Sequence, residues 1–249
     1  MIIEMAASMA ATSNLSLRNR ILAALPAAEY ERLLPNLKPV TLAYKQVLSE
    51  PNKTIRYVYF PNDGIISMLS TVIDRTLVEV GLVGREGMFG IPVFLGANST
   101  PHQGIVQVAG SAVRMKANLL REEFKRGGRL QDLLLHYTHA HLIMISQTAV
   151  CNRIHALDGR LSRWLLMIHD RVDGDEFLLT HDIISQMLGA QRTGVTEAAG
   201  HLQKKRMIRY SRGKIAILDR QALEEMACEC YWIVKEEFDH LTGARNSSY

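Results

Sequence analysis

Residues 179–219 read LTHDIISQMLGAQRTGVTEAAGHLQKKRMIRYSRGKIAILD, and this stretch decides the fold. Thr180 suits a helix N-cap and Asp182 the first turn, while Ile183, Ile184, Met187 and Leu188 supply one apolar face. Gly189 offers the left-handed backbone that ends a helix in a tight turn. A second helix is expected from about Gln191. Val195, Ala199 and Leu202 form its inward face, and Arg192, Thr193, Thr196, Glu197, Gly200 and Lys204 fall on the other side. MIRYSRGKIAILD then reads as two β runs about a Ser-Arg-Gly turn, a basic hairpin carrying Arg209, Arg212 and Lys214. Helix, glycine turn, helix and basic hairpin in that order describe a winged helix-turn-helix.

Charge supports a polyanionic partner. Between Gly189 and Lys214 there are seven Lys or Arg and one acid, Glu197, although the whole chain carries only +4. The excess is local, and an acidic stretch, LEEMACECYWIVKEEFDH, follows it. Positioning contacts to phosphate are expected from His201, Lys204, Arg209, Arg212 and Lys214, and base readout from Arg192, Thr193, Thr196 and Glu197. Glu197 has three readings. It accepts from the N4 amino group of cytosine, it is a solvated acid, or it pairs with Arg192 or His201.

Working outward, residues 37–115 are strand-like. IRYVYF, GIISMLS, TLVEVGLVG, GIVQVAG and AVRM are short β-branched or aromatic runs punctuated by EPNK, FPNDG and GANSTPHQG. Many short strands at this spacing predict a sandwich or rolled barrel, preceded by a short helix in LPAAEYERLLP. After Arg126–Gly128 the text becomes helical for over twenty residues without Gly or Pro. One apolar stripe there runs Leu135, Thr138, Leu142, Ile145, Ala149; another runs Leu130, Leu134, Tyr137, His141, Met144. Two stripes predict a helix packed on two sides, by its own β domain and by a partner helix, or else one buried within a monomer.

In this order of parts the chain resembles the Crp/Fnr-type transcription regulators. The resemblance is most specific in residues 179–219, which follow the family's Leu-Thr…Leu-Gly-x-x-Arg…Val…Leu…Ile…Arg-Gly…Ile…Leu-Asp pattern. It implies an α+β chain with an N-terminal β-roll (double-stranded β-helix, jelly-roll-like) over residues 15–127. A long dimerisation helix at 128–156, a winged helix-turn-helix at 157–222 and a helical extension at 223–249 would follow. It also implies a homodimer on double-stranded DNA, its recognition helices entering successive major grooves about 34 Å apart. Further partners on this reading are RNA polymerase and an unidentified small-molecule effector. The competing reading is a small-molecule sensor whose winged helix makes protein contacts.

The sequence departs from the family in two places. Thr193 stands where an acid is common and Glu197 where a second Arg is common. In the effector turn, GREGMFGIPVFLG, the glycines Gly87 and Gly90 are followed by Ile91 where cyclic-AMP binders carry a Glu. The later TPHQGIVQVAG offers His102 and Gln103 but no Arg to neutralise a phosphate. Burying a cyclic phosphate without that cation is costly, so tight cyclic-AMP binding is not expected.

The remaining features point away from other classes. Three cysteines, none before residue 151, fit neither a disulfide framework nor a four-thiolate cluster, and a reducing cytoplasm is expected. Cys228 and Cys230, two residues apart, would not face each other on a helix, so the thiols are read as structural or incidental. His136, His139 and His141 lack an acid or thiol to complete a ligand set, so no metal and no cofactor is assigned. DGDEF at 173–177 imitates part of a nucleotide-cyclase motif without the surrounding domain. No nucleophile–base pair or P-loop is present, so an enzyme is not expected. No run of eighteen apolar residues occurs, so no membrane partner is expected, and residues 1–14 read as a loose arm rather than a signal peptide.

Overall fold

The computed structural model describes residues 18–71 and 77–241. The arm expected at 1–14, the expected domain start at residue 15 and the last eight residues of the expected extension lie outside them. Among the described residues no helix is long and apolar enough to cross a membrane.

Two short helices, α1 (Arg20–Ala23) and α2 (Ala27–Leu33), lead in. Buried Asn19 caps α1 and donates to the carbonyls of Pro61 and Gly87, which ties the helix to the sheet beneath it. The strands are β1 (Lys38–Leu42), β2 (Val47–Ser49), β3 (Tyr57–Thr71), β4 (Leu77–Val83) and β5 (Gln103–Lys116). They form one antiparallel sheet in the order β1-β5-β3-β4, with β2 also on β5. Several runs expected as separate strands are continuous. YVYF and GIISMLS belong to one β3, and GIVQVAG and AVRM to one β5. The register slips repeatedly between Pro61 and Ile66, so FPNDG is absorbed as a bulged bend inside the ladder instead of ending it.

The bend lets both faces of the sheet bury apolar side chains. Leu42, Tyr59, Ile66, Val83, Phe89, Val106 and Ala112 form one cluster. The alternate residues Val58, Phe60, Ile65, Leu69, Leu82, Val113 and Met115 join the main core with the helices. After α3 (Ala117–Lys125) comes the long helix α4 (Arg129–Ile154). The carboxylate of Glu29 accepts from the backbone N–H groups of Arg129 and Leu130, both at 2.9 Å, and so satisfies two orphan donors at the start of α4. The two stripes of α4 part company. Leu130, Leu134, Tyr137, His141 and Met144 are buried, whereas Leu135, Leu142 and Ile145 are exposed, Leu142 to 59%.

The C-terminal unit comprises α5 (Leu157–His169), β6 (Glu176–Leu178), α6 (His181–Leu188), α7 (Arg192–Lys204), β7 (Ile208–Ser211), β8 (Lys214–Ile217) and α8 (Arg220–Met226). Its small sheet has the order β6-β8-β7. A last helix, α9 (Cys230–Asp239), packs back on α4 and α5. Buried polar contacts join the two units. Trp164 Nε1 donates to Glu79 Oε1 at 2.8 Å, and Arg171 Nε donates to Glu86 Oε1 at 2.8 Å.

Candidate nucleic-acid interface

Local sequence builds the two-helix head as expected. The Thr180 hydroxyl accepts from the Ile183 N–H, capping α6. Gly189, at φ 55° and ψ 41°, closes α6 in the left-handed region, a conformation a side chain would strain. Helix α7 then starts at Arg192 with Gln191 as its N-cap, and Val195, Ala198, Ala199 and Leu202 are buried beneath it. β7 and β8 are joined by the two residues Arg212 and Gly213, both at positive φ (50° and 76°), the two-residue hairpin turn whose twist matches the strands. The turn therefore places the Arg212 side chain at the wing tip.

Every residue expected to meet DNA lies on the surface, but their present partners differ. Arg192 Nε sits 3.2 Å from Asp182 Oδ1, His201 Nδ1 lies 3.0 Å from Asp158 Oδ2, and Arg209 Nη2 lies 2.8 Å from Glu176 Oε1. These are exposed pairs, worth little in water and open to exchange. The Thr196 hydroxyl lies 3.0 Å from both the Arg192 carbonyl and His181 Nδ1. Thr193, Glu197, Lys204, Arg212 and Lys214 are exposed with no side-chain partner among the described residues. Arg192 and His201 are engaged elsewhere, so the intramolecular pairing considered for Glu197 does not occur.

Three participants escaped the sequence reading. Lys205 and Arg206 extend the exposed cationic end of α7 beside Lys204. His181 stacks on Tyr210, ring centroids 4.2 Å apart, and links α6, α7 and the wing through Thr196. Desolvation and then the Arg192 charge lower its pKa.

The glycines expected at the effector turn are closely packed. Phe89, between Gly87 and Gly90, pairs with Tyr59, and its ring lies against Gly104, 2.2 Å from where a Cβ would stand. At Gly87 a Cβ would lie 2.1 Å from the Tyr137 ring, so a helix α4 side chain occupies that face of the turn. Gly90, at φ 118°, backs onto Val58. Ile91, His102 and Gln103 are half-buried. The acid of this turn, Glu86, accepts from the Gly84 N–H and from Arg171, and the ion pair is about 5% exposed on each side.

Comparison places this head in a known group. Residues 159–226 match the family model of the Crp-like helix-turn-helix domain. Beyond it, about three quarters of the chain shares its fold with solved Crp/Fnr-type regulators. FixK2 from Bradyrhizobium japonicum superposes with a TM-score of 0.65 at 16% identity, over 77% of this chain and 98% of FixK2. A CRP-family transcriptional regulator from Thermus thermophilus gives 0.62 at 16% identity, over 76% of this chain and 96% of that one. The c-di-GMP-responsive global regulator CLP of Xanthomonas campestris gives 0.59 at 14% identity, over 77% and 99%. No curated protein sequence matches the chain.

Proposed function

We propose that the protein is a sequence-specific, DNA-binding transcription regulator of Crp/Fnr type, homodimeric on a two-fold-symmetric operator, not responsive to cyclic AMP and not an enzyme. The observation that carries this reading is the outward face of α7. There Arg192, Thr193 and Glu197 lie exposed on the second helix of a Crp-like domain, whose far end is cationic and leads into the basic wing. The exposed Lys204, Lys205, Arg206, Arg212 and Lys214 would neutralise phosphates and set the salt dependence. Arg192, released from its surface pair with Asp182, would reach a guanine, and Glu197 would accept from cytosine N4. Thr196 holds α6 to α7 through His181, so its contribution to readout would be positional. DNA and RNA polymerase as partners imply a cytoplasmic protein.

The exposed stripe of α4 supports the homodimer. Leu135, Leu142, Ile145 and Ala149 advance in steps of seven, three and four, and with Thr138 they form the seam a second copy would cover. The close packing of Tyr137 on Gly87 and of Phe89 on Gly104, with no Arg in TPHQGIVQVAG to neutralise a phosphate, supports the absence of cyclic-AMP control. Any effector would be of another chemical class.

Selection of binding sites from random DNA tests the reading. A palindromic motif is expected, and Glu197→Ala should change the base preference at one position in each half-site, by about 1–3 kcal/mol of discrimination. An unchanged motif would remove Glu197 from the readout. Absence of any salt-dependent DNA affinity would instead favour a sensor whose winged helix contacts protein.

A further inference from the structure

The end of α4 and the start of α9 bring together all three cysteines and one histidine. Cys151 and His155 stand four residues apart, on one face of the last turn of α4 and its C-cap. Cys228 and Cys230 flank Glu229, the N-cap of α9, so Cys228 lies in the approach to the helix and only Cys230 lies in it. The expectation that these two thiols point apart holds for a continuous helix. Here the chain turns between them and both reach α4. Cys151 Sγ lies 3.5 Å from Cys228 Sγ, and Cys230 Sγ lies 3.5 Å from His155 Nδ1. The four donor atoms all lie within 4.8 Å of one another. The three thiols are buried and form a small cluster apart from the main core.

We infer that Cys151, His155, Cys228 and Cys230 form a structural zinc site that fastens the C-terminal extension to the end of the long helix. The donor set is of the closed Cys3His type, and zinc–sulfur bonds of about 2.3 Å in a tetrahedron set donor atoms about 3.8 Å apart. An iron–sulfur cluster needs donors spread around a larger core, which a 4.8 Å limit does not allow. The surroundings suit a metal. His155 Nε2 lies 3.1 Å from Glu229 Oε1, which turns Nδ1 toward the thiols as in carboxylate–histidine–zinc arrangements. Gln147 Nε2 donates to Cys230 Sγ at 3.2 Å. Three thiolates with one zinc carry a net negative charge, and the positive charge of Arg163 acts on Cys151. A disulfide between Cys151 and Cys228 would leave the convergence of His155, Glu229 and Cys230 without a purpose.

The site spans the junction at which α4 ends and α5 begins, His155–Ala156. Zinc there would fix α9 against α4 and limit the swing of the helix-turn-helix domain. This assignment rests on the donor geometry alone and stands whether or not the head reads DNA.

The test uses the full-length protein purified under reducing conditions without chelators. One zinc per chain by elemental analysis is expected. After zinc, which is spectroscopically silent, is stripped with a chelator, added cobalt should give the d–d and thiolate charge-transfer absorption of a tetrahedral thiolate site. Cys230→Ser should abolish that spectrum, and Glu229→Gln, which spares all four donors, should weaken metal affinity about 10-fold. Metal-free protein whose three native thiols all react with a thiol reagent, and which gives no cobalt spectrum, would overturn the assignment. So would a Cys151–Cys228 disulfide in the freshly isolated protein. Should Cys230→Ser fail to fold, zinc content and the cobalt titration of the unaltered chain decide the matter.

Discussion

The turn at residues 84–91 and the outward face of α7 with the wing are built from similar material and finished in opposite ways. Both pair glycines with charged residues at the edge of a packed unit. At the turn, Glu86 and Arg171 neutralise each other out of water, with Tyr137 pressed onto Gly87. On α7 and the wing, Lys204, Arg212, Lys214 and Glu197 stand exposed with no side-chain partner among the described residues. Charges committed to each other hold two units together, whereas charges left in solvent remain free for a ligand. The fold has thus put its electrostatics to structural use at the turn and kept it available at the head.

The largest expected effect breaks the closed side of this contrast. Arg171→Leu leaves the Glu86 carboxylate buried without its cation, and loss of one partner from a buried pair costs about 3–5 kcal/mol. A fall of that size in the denaturant-extrapolated unfolding free energy is expected. A change under about 1 kcal/mol would mean that water reaches the turn and the pair is a surface pair in effect.

Glu79 probes the same interface more gently. Burial pushes its carboxyl up to about 7, opposed by hydrogen bonding that includes the Trp164 indole. The folded-state value lies above that of the unfolded chain, so between about pH 4.5 and 7 the native state keeps a proton that the unfolded state has lost. Stability contributed by this group is therefore fully present below about pH 4.5 and is lost as pH rises through about 7. Glu79→Gln keeps an acceptor for Trp164 and removes the titration. Relative to the unaltered chain it should gain about 3 kcal/mol at pH 8 over its standing at pH 4.5. Parallel stability curves for the two proteins across that range would show that Glu79 is hydrated in the fold.

These residues also mark what the sequence made legible. The head was readable because its rules are local. Thr180, Gly189 and the Arg212-Gly213 turn act within a few residues, and helical periodicity sorts Val195, Ala199 and Leu202 from the outward side. The two stripes of α4 separated by burial as their spacing predicts. Contacts between distant segments carry no such periodicity. Glu86 meets Arg171 across 85 positions, and Trp164 meets Glu79 across the same separation, with nothing in the text to join them. The Cys and His cluster failed for a related reason. Cys151 and His155 have the four-residue spacing of a helical ligand pair, but they are joined to Cys228 and Cys230 only by the return of α9 onto α4. FPNDG misled in the opposite sense, since turn residues also build bulges inside a long strand.

On the open side of the comparison, Lys214→Ala removes one candidate phosphate ligand from each subunit of the proposed dimer. Binding should weaken alike for operator and unrelated DNA, and the slope of log K against log salt should become shallower by about 1 for each phosphate no longer neutralised. A loss confined to the operator would make Lys214 a base reader. An unchanged slope would place the wing away from the DNA.

Gly200 gives the smallest effect and the finest discrimination. It sits inside α7, where a glycine costs about 0.5–1 kcal/mol relative to alanine, yet a Cβ there would meet nothing within 4 Å. The free protein therefore has no steric need of it, and Gly200→Ala should raise stability by about that amount. In the proposed complex the outward side of α7 faces the groove, so a methyl group at this position would report how near the DNA comes. Higher stability with unchanged affinity would set Gly200 clear of the phosphates. Higher stability with weakened binding to all sequences would mean that the backbone of α7 lies against the DNA at this residue, and that glycine there serves the complex at the expense of the free fold.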